Sequence, residues 1–149
     1  MKKPFLILIL IVVFGAVFYI WKPDFRNVRT SDVLTLNGRE ISIEVADTPA
    51  KQAQGLSGRE GLGQNEGMLF IFPEHKVQNF WMKDMKFPID IIWISGDWVV
   101  GFVENAPVPV SENSLIIYSS PETVDKVLEI NAGLIKKWNI KVGDLINFL

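Results

Sequence analysis

The chain has no cysteine and a single histidine, His75. The first absence excludes a disulfide framework, thiol chemistry and lipid attachment through an N-terminal cysteine. Stability must therefore come from a packed core. One histidine, with no Gly-x-Ser-x-Gly, leaves no basis for a Ser or Cys triad. Charge is missing from one long stretch, since no charged or strongly polar residue lies between Pro4 and Trp21. Internal repeats and low-complexity tracts are absent as well.

The uncharged stretch 4–21 has no amphipathic period and would be apolar all round as a helix. Eighteen residues at about 1.5 Å each span roughly 27 Å, just enough for a hydrocarbon core of about 30 Å. A cleaved signal peptide is the competing reading. Its apolar region is shorter and ends at a small-x-small site, whereas this run closes on Val17, Phe18, Tyr19, Ile20 and Trp21. A retained anchor over 4–21 is the expectation, with secretion after cleavage as the alternative. Lys2 and Lys3 hold residues 1–3 in the cytoplasm, and the rest is exported. Tyr19, Trp21 and Lys22 suit the far interface. Residues 22–31 read as a short linker, leaving 32–149 as an extracytoplasmic domain.

That domain carries 8 Lys and 2 Arg against 16 Asp plus Glu, a net charge of −6 with His neutral. The sign excludes nucleic acid as the expected partner. The expected partners are the membrane, through 4–21, and an unknown small molecule or envelope component.

Period-two alternation dominates the domain and predicts an all-β fold. Val33–Leu36 leads through Asn37-Gly38, a strong hairpin signal, into a strand carrying Ile41, Ile43 and Val45. Asp47 and Thr48 before Pro49 predict a short helix over 49–54, stopped by Gly55. Further strands are predicted at Met68–Phe72, Gln78–Met82, Ile89–Ile94, Trp98–Glu104, Leu115–Tyr118, Val124–Ile130 and Leu145–Phe148. A second short helix is predicted near Leu134–Trp138. About nine short strands between Pro and Gly punctuation predict a sandwich or barrel.

Along these elements lie Asp47-Thr48-Pro49, Gly55-Leu56-Ser57-Gly58-Arg59 and Gly67-Met68-Leu69-Phe70-Ile71-Phe72. Phe80-Trp81-Met82-Lys83, Pro88-Ile89-Asp90-Ile91, Val127-Leu128-Glu129-Ile130, Ala132-Gly133 and Gly143-Asp144 follow in order. The string over about 40–149 resembles the domain of unknown function 192 family. The resemblance implies a compact jelly-roll-like β-sandwich or barrel, often behind a signal or anchor, and no established activity. Ser57 stands where that family commonly has Met.

Asp90 is the residue most in need of explanation, because it interrupts an otherwise apolar strand. A buried carboxylate costs several kcal/mol unless paired and hydrogen-bonded. Arg59 and Lys83 are the cations of the motif segments. Arg59, Lys83 and Asp90 form either a polar cluster at a pocket floor, beside Trp81, or a structural ion pair pinning a loop to the sheet. The structural pair is favoured. Glu129, between Leu128 and Ile130, raises a milder form of the same question and reads as facing solvent.

The leading expectation is a non-enzymatic domain that binds a small or extended ligand, or an envelope component, through Arg59, Trp81, Lys83 and Asp90. A hydrolase acting on envelope saccharide or peptide through Asp90 and Glu66 is the second reading. A copper(I) site from Met68, Met82 and Met85 near His75 is the third, since thioethers and imidazole suit that ion. No ligand-spacing motif accompanies these residues, so no metal or cofactor is expected. No residue is assigned a catalytic role.

Overall fold

A computed structural model describes residues 33–111 and 114–149. The expected anchor and linker, 4–21 and 22–31, lie outside the described residues. Among the described residues no helix is long and apolar enough to cross a membrane.

The strands are β1 (Val33–Leu36), β2 (Arg39–Ala46), β3 (Glu66–Lys76), β4 (Asn79–Trp81), β5 (Ile89–Ser95), β6 (Trp98–Ala106), β7 (Ile117–Ser119), β8 (Val124–Asn131) and β9 (Ile146–Phe148). The helices are α1 (Pro49–Gln54) and α2 (Leu134–Trp138). The β1–β2 hairpin turns on Asn37 and Gly38, at φ of 50° and 70°. A tight turn with two positive φ values favours this residue pair. The Thr48 hydroxyl accepts from Lys51 N at 3.3 Å, and Gly55 closes α1 at a φ of 51°.

Seven strands form one sheet in the order β6-β5-β8-β3-β2-β1-β9. It curls into a half-barrel whose edge strands touch. Val99 N donates to Asp144 O at 2.9 Å, and Ile146 N to Asp97 O at 2.8 Å. The all-β expectation holds, but the jelly-roll-like sandwich takes another form. β2 and β3 run parallel, joined by the crossover that contains α1. A jelly roll pairs its strands antiparallel throughout. β3 also runs past Pro73 to Lys76, with a register shift after Ile71.

The concave face holds one core, including Leu34, Ile41, Leu69, Ile92, Leu128 and Ile130, against Leu134 and Ile135 of α2. The convex face of β3, β8 and β5 is buried too. Met68, Phe70, Ile91, Trp93 and Val127 pack there under Leu56, Met82 and Met85. A separate β4–β7 ribbon lies over this second core. Phe80 of β4 anchors it, with its ring edge-on to Phe70 at 4.9 Å and to Trp93 at 5.6 Å.

Candidate functional site

Strand parity separates the two buried carboxyls. Asp90 pairs with Ile130 across β5–β8 and shares the concave face with Ile92 and Ile94. Glu129 pairs with Met68 on one side and Ile91 on the other, on the convex face.

Asp90 is completely buried and fully bonded. Its Oδ1 accepts from Asn105 N at 2.8 Å and Gly133 N at 3.1 Å, and its Oδ2 from Ile135 N at 2.8 Å. Gly133, at the start of α2, has no side chain to cap the helix. Asp90 supplies the missing acceptor from a neighbouring strand, which satisfies first-turn amides that would otherwise be orphaned. The expected ion pair does not form. Among the described residues no cation pairs with Asp90. Arg59 Nη2 lies 2.8 Å from Glu44 Oε2, on the convex side of β2. Lys83 is exposed, and its carbonyl accepts from Ser57 Oγ at 3.0 Å. Backbone amides lie closer than any side-chain cation because α2 starts directly over the first residues of β5.

Glu66 and Asp90 also stand apart. Glu66 has the parity of Met68 and faces the convex side, where its carboxylate accepts from Gly63 N at 2.8 Å. A two-carboxylate hydrolytic pair needs one shared cleft, and the sheet lies between these two. Met68, Met82 and Met85 are buried in the convex core. His75 is exposed on the far end of β3, 3.9 Å from Asp125.

A cavity of about 300 Å³ opens between the sheet and its cover. Gln52, Gly55 and Leu56 form one wall, Phe80 and Trp81 of the ribbon the other, and Phe70 and Glu129 the floor. Two contacts hold the first wall. Gln52 Nε2 donates to Ile71 O at 2.8 Å, and Gly58 N to Asp84 O at 2.9 Å. Gly55 sits in this wall at a φ of 51°, which favours glycine, and a Cβ there would make ordinary contact with the Phe70 ring at 3.4 Å. Trp81 stands at the rim, 57 % exposed. Of the expected ligand-binding residues Arg59, Trp81, Lys83 and Asp90, this cavity takes only Trp81.

Glu129 is 5 % exposed, and among the described residues no donor bonds its carboxyl. Burial pushes it up from the ordinary 4.5 to about 8, because the charged form loses its hydration without a compensating partner. It is therefore mostly a neutral acid at neutral pH. The expectation that Glu129 faces solvent is overturned, because β8 is central and covered on both faces. Its sequence signal is a weaker form of that at Asp90, a carboxyl between Val127-Leu128 and Ile130 in a strand that also carries Asp125 and Lys126.

A protein of unknown function from Novosphingobium aromaticivorans has a similar solved structure, with a TM-score of 0.70 and 33 % identity. The match covers 77 % of this chain and 83 % of that one. A proposed transcription regulator from Sinorhizobium meliloti is similar at a TM-score of 0.70 and 35 % identity, over 77 % of this chain and 91 % of that one. No curated protein gives a significant match. The model of the DUF192 family, described as Uncharacterized ACR, matches residues 32–148, and the chain belongs to that family.

Proposed function

We propose that residues 32–149 form a non-enzymatic binding domain for a small or extended ligand or an envelope component, held outside a membrane by residues 4–21. One observation carries the binding reading. Glu129 is a buried carboxyl with no partner among the described residues, set at the floor of an aromatic cavity. An unsatisfied buried polar group is costly to folding and is characteristic of a site that waits for a ligand. The apolar body of a ligand fits against Phe70, Phe72 and Phe80. Its polar end meets Glu129. Gln78, Asn79 and Trp81 line the same cavity and supply the few polar and stacking contacts that orient a ligand. Arg59 and Lys83 lie outside it. Among the described residues Glu129 is the only carboxyl lining the cavity, whereas a glycoside hydrolase uses two, so this lining supports binding rather than that chemistry.

A fragment screen by amide NMR on the full-length chain tests the binding reading. Shifts are expected to concentrate at Gly55, Leu56, Phe80 and Trp81. A screen whose binders all shift residues on the concave side would remove this site. Alkaline carbonate washing tests the anchor, with retention in the membrane pellet expected and release counting against it.

A further inference from the structure

Among the described residues Glu129 is the only ionisable side chain lining the cavity, and no described lysine, arginine or histidine reaches into it. Its flanking partners on β3 and β5 are Met68 and Ile91, and Leu56 and Met85 share the cavity with it. The positive charge that a buried carboxylate needs is therefore not supplied by the described part of the chain. Phe70, Phe72, Phe80 and Trp81 give the space an aromatic lining, which accommodates a cation better than an aliphatic one. The domain's net charge of −6 favours approach of a cation and opposes an anion.

Resting on the binding reading above, we propose that the ligand is a compact organic cation, a protonated amine on a small apolar body, whose nitrogen pairs with the Glu129 carboxylate. A cavity of about 300 Å³ suits one ring with a short arm. Capture has a defined proton balance. In the empty cavity the carboxyl holds a proton at neutral pH. When the ammonium binds, one proton leaves the carboxyl for the buffer, and the ammonium and the carboxylate form a pair with no net charge. Binding therefore tightens as pH rises towards that of the carboxyl's own titration.

The probes are benzylamine and benzyl alcohol, which have similar shape and differ in charge. Isothermal titration of the full-length chain at about pH 7, in two buffers of different ionisation enthalpy, measures affinity and proton release together. Benzylamine is expected to bind about tenfold tighter than benzyl alcohol or better, with close to one proton released. Glu129→Gln is expected to erase that preference. If both probes bind the unaltered chain equally, without proton release, the cation class is wrong and the binding reading survives. If neither binds, both fall. Proton release from the unaltered chain decides the matter even if the variant folds poorly.

Discussion

Asp90 and Glu129 are both buried carboxyls on adjacent strands, but they differ in the feature that sets the cost of a buried charge, namely whether donors reach it. Three backbone amides reach Asp90. Replacing it with alanine leaves those amides unbonded in the core, and Asp90→Ala is expected to cost about 3–5 kcal/mol of stability. Urea denaturation of the full-length chain measures this, and a loss below about 1 kcal/mol would mean the capping account is wrong. For Glu129 the linkage runs the other way from a paired carboxylate. Its folded value of about 8 lies above the ordinary 4.5, so between them the native state holds a proton that the unfolded chain has released. Its contribution to stability is fully present below about pH 4.5 and is lost as pH rises through about 8, by on the order of 5 kcal/mol. Glu129→Gln cannot titrate. Its stability relative to the unaltered chain should climb across that window, and parallel pH curves for the two proteins would refute the assignment.

The hairpin, α1 and the strand set follow from local chemistry that sequence carries openly. Asn37-Gly38 and Thr48-Pro49 each act within a few residues. Which face of a strand is buried depends on strands far away, and that is where the sequence reading stops. β5 and β8 are covered on both sides, and burial there does not follow the polar–apolar pattern: β5 is apolar on both parities from Ile89 to Ile94 apart from Asp90, while β8 buries Lys126 and Glu129 among its apolar residues. Glu129, polar between Leu128 and Ile130, then reads as solvent-facing although both faces of β8 are buried around it. The cavity itself joins segments more than seventy residues apart, from Gln52 to Glu129, and no spacing motif announces it. Gly67 shows what close packing demands at this level. A Cβ there would sit 2.9 Å from the Glu129 carbonyl oxygen and 3.1 Å from Ile130 Cγ2, both on β8. Gly67→Ala must push β3 from β8 and is expected to cost about 2 kcal/mol. The same denaturation assay reads it, and a neutral result would show that the two strands yield freely.

At the scale of the molecule, the fold is a curled sheet with a core on each side, and the two cores are closed differently. The concave one is sealed by the sheet's own curvature and by α2. The convex one is covered by α1, the turn after it and a ribbon of two three-residue strands. A two-stranded ribbon has little stability of its own, and Phe80 is its main hold on the sheet. The cover should open while the sheet stays folded, which gives a ligand a route to Glu129 without global unfolding. Hydrogen exchange on the full-length chain is expected to show amides of Asn79–Trp81 and Ile117–Ser119 exchanging well before those of β3, β5 and β8. A bound amine, by bridging cover and floor, should slow the ribbon selectively. Uniform protection across ribbon and sheet would make the cover a fixed part of the core, and Glu129 would then be sealed rather than served by an opening layer.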